Sequence, residues 1–76
     1  PVLRFKSGMP PLEVVESIRQ LAFARGFGST DNYIDWMVGN LARLHETYVT
    51  VTGNTTEEGA ASLVSELERC GLIVFE

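Results

Sequence analysis

Three groups of residues in this chain have the types and spacing to do chemistry. Asp31 and Asp35 stand four apart with Asn32 between them, so a helix would place both carboxylates on one face. Such a pair could contribute to a magnesium or calcium site. His45, followed by Glu46, has the character of a general base, since an unperturbed imidazole titrates at about 6.5. The run VTVTGNTTEEGAASLV (49–64) passes from strand-like alternation through Gly53-Asn54 into a helical pattern. That is the order in which many nucleotide-binding proteins cradle a phosphate at a helix N-terminus.

Each group also has a structural reading, and the spacing favours it. A Walker-type loop counted from Gly53 would need a second glycine where Glu58 stands, and no lysine follows. A dinucleotide fingerprint fails as well, because no glycine stands between Gly53 and Gly59. Thr55 and Glu58 instead have the spacing of a capping box, and Glu57 and Glu58 bring negative charge to the positive end of the helix. The loop is expected to start a helix, with its donors already occupied. Asp31 falls in a first helical turn, where acids are favoured, and Asp35 is expected to face solvent. No serine or cysteine is spaced to act as a nucleophile beside His45, which is expected to be a partly buried residue ending a helix. Cys70 sits near a helix C-terminus beside Glu68, which disfavours a thiolate, and is expected to be packed and inert. No metal or other cofactor is expected, and no catalytic constellation, so the chain does not read as an enzyme.

Seventy-six residues suggest one domain, and a domain of that size buries only about 60% of the surface its unfolded chain exposes. One cysteine and one histidine exclude an intrachain disulfide and the usual four-ligand zinc sites, which leaves oligomerisation as the remaining means of stabilisation. The formal net charge of −4 works against general attraction to duplex nucleic acid. No apolar run approaches the roughly 18 residues of a membrane span. A lone thiol without a signal segment suits the cytoplasm.

The elements that would position these residues follow from periodicity. Residues 2–7 alternate, with Leu3 and Phe5 on one face and Arg4 and Lys6 on the other, and read as a strand. Helical spacing runs from Pro11 to about Arg25, with Val14, Val15, Ile18, Leu21 and Ala22 on its inner stripe. Ser29 or Thr30 caps a second helix over 30–46, whose stripe is Ile34, Met37, Val38, Leu41 and Leu44. TYVTVT (47–52) reads as a strand by alternation and β-branching. A third helix covers 55–70, with Ala60, Leu63, Val64 and Leu67 inward and Gly71 at its end. LIVF (72–75) is apolar throughout, as suits a strand covered on both faces. The expected fold is α/β, of order β-α-α-β-α-β. Its three-stranded sheet has the last strand in the centre, and the final strand–helix–strand unit is a right-handed crossover between parallel neighbours.

The aromatics carry the remaining signal. Trp36 points well away from the centre of its helix's apolar stripe, with Asn40 and Arg43 beside it; Tyr33 lies between, and Phe23 is off the stripe of the first helix. Rings and arginine on a polar face mark a partner surface, so Trp36, Tyr33, Phe23 and Arg43 are expected to meet a protein partner or a second copy of the chain. Residues 2–44 also resemble, in shape, a ribbon-helix-helix DNA-binding repressor: a short strand, a helix, the turn ARGFGSTDNYI and a second helix. The resemblance implies an alternative in which strands of two chains pair, Arg4 and Lys6 face DNA, and Ser29 or Thr30 helps position the phosphate backbone.

Overall fold

A computed structural model of the chain describes residues 2–21 and 28–76. The elements are β1 (Leu3–Phe5), α1 (Pro11–Leu21), α2 (Thr30–His45), α3 (Thr56–Arg69) and β2 (Ile73–Phe75). The expected continuation of α1 through residues 22–25, and Phe23 with it, lies outside the described residues.

The three helices begin where local chemistry starts them. Pro11 opens α1, where a missing N–H costs nothing. Ser29, in an extended conformation, caps α2 by accepting the Asn32 N–H at 3.2 Å. Thr30 is thereby released from capping, and its hydroxyl instead donates to the Glu16 carboxylate on α1. Thr55 caps α3, accepting the Glu58 N–H at 3.1 Å, while the Glu58 carboxylate reaches back to the Asn54 N–H at 2.7 Å. Helix α2 ends on Glu46, a non-glycine residue in the left-handed region at φ 51°, and Thr47 N–H returns to the Leu41 carbonyl at 3.0 Å. Helix α3 ends through Gly71 at φ 76°, which lets Leu72 N–H reach the Leu67 carbonyl at 2.9 Å.

Helix α3 organises the interior and packs against α1, α2 and β2. It buries Ala60, Leu63, Val64 and Leu67, the stripe its sequence indicates. Val14, Val15 and Ile18 meet it from α1, Tyr33 and Ile34 from α2, with Val49 and Ile73 completing the buried cluster. Two inner positions are corrected. Leu21 and Leu44, each expected at the end of an apolar stripe, are exposed. Tyr33 takes the inward place on α2, so the buried surface of that helix is shifted toward its N-terminus, where α1 and α2 meet through Thr30 and Glu16.

The sheet differs more. It has two strands, β1 and β2, paired in parallel with Leu3 opposite Ile73, Arg4 opposite Val74 and Phe5 opposite Phe75. The expected strand at 47–52 is not one: this segment lies along α3 and is tied to it by side chains. Thr50 N–H donates to the Glu66 carboxylate at 3.1 Å and Thr52 N–H to the Ser62 hydroxyl at 3.0 Å. Those bonds replace a β ladder, because backbone donors satisfied by helix side chains have no need of a neighbouring strand. The alternation is retained, with Val49 buried and Val51 half-buried against the helix while Tyr48, Thr50 and Thr52 are exposed. The last strand is therefore not central, and the β-α-β crossover is absent from the described residues.

Candidate interaction surface

The parallel ladder determines which backbone groups of β1 are already used. Leu3 N–H donates to the Leu72 carbonyl at 3.2 Å, Glu76 N–H to the Phe5 carbonyl at 2.9 Å, and Ser7 N–H to the Glu76 carbonyl at 2.9 Å. Alternate residues of a strand point their main-chain groups to opposite sides. Leu3, Phe5 and Ser7 therefore face β2, and the N–H and carbonyl of Arg4 face the outer edge. The strand ends in a turn, with Met9 N–H donating to the Lys6 carbonyl at 3.2 Å and Gly8 at φ 89° in the position that needs glycine.

The two edges of the sheet differ in burial. Ile73 of β2 is only 3% exposed, and Phe75, the other β2 residue whose main chain faces away from β1, is half-buried. On β1, Arg4 is exposed and Leu3, opposite Ile73 in the register, remains 38% exposed. Val2 is 48% exposed and Val74 36%, so exposed apolar side chains surround the strand whose outer backbone has no strand partner among the described residues. The Arg4 guanidinium is bridged to the Glu76 carboxylate across the sheet. Phe5 and Phe75 lie with ring centroids 6.2 Å apart, which anchors the inward face of the pair.

A second surface lies on α2. Trp36 is 40% exposed and stacks on the fully buried Tyr33 with centroids 6.0 Å apart and planes 24° from parallel. Tyr33 thus belongs to the core, and burial pushes its hydroxyl above the ordinary tyrosine range, against the lowering influence of Arg19. Arg43, one helical turn beyond Asn40, donates to its side-chain oxygen at 3.2 Å. The structure joins Trp36 to Tyr33, and Arg43 to Asn40, along one helix. Phe23 lies outside the described residues, and Lys6 is exposed on the outer face of the sheet.

The residues with chemical potential are arranged as follows. Asp31 accepts a hydrogen bond from the Thr56 hydroxyl at 3.0 Å, a link from α2 to α3. Asp31 and Asp35 border an open, mainly polar hollow of about 300 Å³ beside Thr52, Gly53 and Thr55. The phosphate-like loop therefore does meet the carboxylate pair in space, but with Glu58 already bonded to the Asn54 N–H. Among the described residues, no group of three or more His, Cys, Asp and Glu side chains is placed to hold a metal ion. His45 is exposed in the last turn of α2, a correction to the half-buried position expected for it, and its carbonyl accepts the Thr47 hydroxyl at 3.2 Å. Cys70 is half-buried against the core. Among the described residues, no helix is long and apolar enough to cross a membrane.

Sequence reasoning made no use of the open edge of β1. The expected order, with 72–75 central, already put residues 2–7 at one edge of the sheet, and what was left unused was the alternation in VLRFKS as a pairing surface; the third strand that the described residues lack was expected on the far side of β2. Comparison with protein-family models, curated proteins and solved structures finds no match to this chain.

Proposed function

We propose that this chain acts by binding protein, first of all a copy of itself, and not by catalysis. One observation carries the reading: among the described residues the Arg4 backbone groups on the outer edge of β1 have no strand partner, and the apolar side chains of Val2 and Leu3 beside them are exposed. An open edge is a template for another strand. Pairing there supplies directional main-chain bonds worth about 1 kcal/mol each, and covering the flanking side chains adds about 25 cal/mol per Å² of apolar area. The Trp36–Arg43 face of α2 is a second binding surface: its indole is held by the buried Tyr33 ring, so little freedom is lost when a partner covers it.

A DNA-binding role through Arg4 and Lys6 has less support. The guanidinium that would meet a phosphate is bridged to Glu76, and β1 pairs within its own chain before it can form a ribbon with another. The test is sedimentation of the chain at micromolar concentrations beside a titration with duplex DNA. Reversible association with no DNA binding at about 50 mM salt is expected. A monomer that binds DNA with steep salt dependence would replace this reading.

A further inference from the structure

We propose that residues 48–52 form a strap that lifts from α3 while the helices stay folded, and that this strap is the movable wall of the hollow beside Asp31 and Asp35. Its attachment differs in kind from that of the helices and the strand pair. Among the described residues, 48–52 makes no main-chain to main-chain hydrogen bond. Three bonds to two side chains of α3, one helical turn apart, stand in their place. The Glu66 carboxylate accepts the Thr50 N–H at 3.1 Å, and the Ser62 hydroxyl accepts the Thr52 N–H at 3.0 Å while donating to the Thr50 carbonyl at 3.4 Å. All three lie at exposed positions, where water can take over from either partner. Glu66 also keeps the Arg69 guanidinium, at 2.8 Å, when the strap is away, so opening strands no carboxylate.

The apolar hold is equally narrow. Val49 is buried and Val51 half-buried, with its Cγ1 only 3.9 Å from where a Cβ on Gly59 would stand, while Tyr48, Thr50 and Thr52 are exposed. Few buried contacts and exposed backbone bonds are the marks of a segment that opens by itself. Both ends bend and both are pinned, which confines the movement. On one side Glu46 sits at φ 51° and the Thr47 N–H is held by the Leu41 carbonyl; on the other Gly53 sits at φ 131° and Glu58 holds the Asn54 N–H. The hollow of about 300 Å³ has Asp31, Ile34 and Asp35 of α2 on one side, and Val51 and Thr52 of the strap on the other. Lifting the strap therefore opens the way to Ile34 and the two carboxylates.

Thiol labelling tests this, with single cysteines in a Cys70→Ala background. Val49→Cys and Val64→Cys replace the same residue type at similar burial, 8% and 6% exposed, one on the strap and one on α3. The Val49→Cys thiol is expected to label at least about a hundredfold faster, at a rate nearly independent of low urea, because local opening exposes little surface. Labelling of Val64→Cys should rise with urea as global unfolding does. Ile34→Cys, across the hollow, should follow Val49→Cys, and adding Ser62→Ala with Glu66→Gln should speed Val49→Cys labelling about tenfold. Equal rates and equal urea dependence for Val49→Cys and Val64→Cys would overturn the strap. Ile34→Cys labelling at the Val64→Cys rate would overturn its role as the wall of the hollow, and no response to the double change would overturn the clasp. If a cysteine variant fails to fold, amide exchange of the unaltered chain decides: urea-independent exchange of Thr50 and Thr52 beside urea-dependent exchange of Leu67 supports the strap, and a common urea dependence overturns it.

Discussion

At the scale of single residues, two positions carry more than their neighbours. Gly53 has φ 131°, and a Cβ added there would lie 2.6 Å from the Glu58 Cβ, which is part of the α3 cap. Gly53→Ala should therefore cost roughly 2–4 kcal/mol, a fall of more than about 10 °C in Tm on thermal denaturation. Tyr33 and Trp36 stack on each other yet do different work. Tyr33 is fully buried, so Tyr33→Ala should cost about 3–5 kcal/mol in urea unfolding, whereas Trp36→Ala should cost only about 1 kcal/mol. Similar losses for the two would contradict the assignment of one ring to the core and the other to the surface. Most of the cap chemistry was legible from residue types, because Thr55 and Glu58 bond mainly to their immediate neighbours. The inward place of Tyr33 was not, since 100° periodicity puts it at the margin of the stripe and the choice is made by where α1 crosses α2.

At the scale of elements, the helices and the strands at 2–7 and 72–75 were readable, and the strand expected at 47–52 was not. A helix satisfies its own backbone, so the stripe of α3 and the Gly71 stop follow from sequence order alone. A strand is defined by what lies beside it, and TYVTVT alternates equally well against a sheet or a helix. Here Glu66 and Ser62 decide, by taking the Thr50 and Thr52 donors. Glu66 is held below the ordinary carboxylate range by the hydrogen bond from Arg69 and then by that from the Thr50 backbone. Its folded value being depressed, this contribution is fully present above the ordinary glutamate pKa of about 4.5 and is lost as pH falls through the lower folded value. The Thr50 amide resonance should accordingly titrate with a midpoint below that of an ordinary glutamate, and the step should disappear in Glu66→Gln. A Thr50 amide insensitive to both would show that Glu66 does not hold the segment, leaving Val49, Val51 and the Thr52–Ser62 bond to tie it to α3.

At the scale of the whole molecule, the described residues form three helices that enclose a core centred on α3 and leave a sheet of two strands at its margin. A sheet so narrow gains from further strands, and β1 is the side where one can be added. The expected order, with the last strand central, already left residues 2–7 at an edge. What the sequence could not show is that, among the described residues, no third strand lies beyond β2. The measurement that bears most directly on this account is sedimentation equilibrium of the unaltered chain over about 1–200 μM, a range in which a dimer of micromolar affinity passes from mostly dissociated to mostly assembled. A reversible rise toward twice the monomer mass of 8.4 kDa, going no further, is the expected result. A single species of 8.4 kDa across the whole range would contradict it.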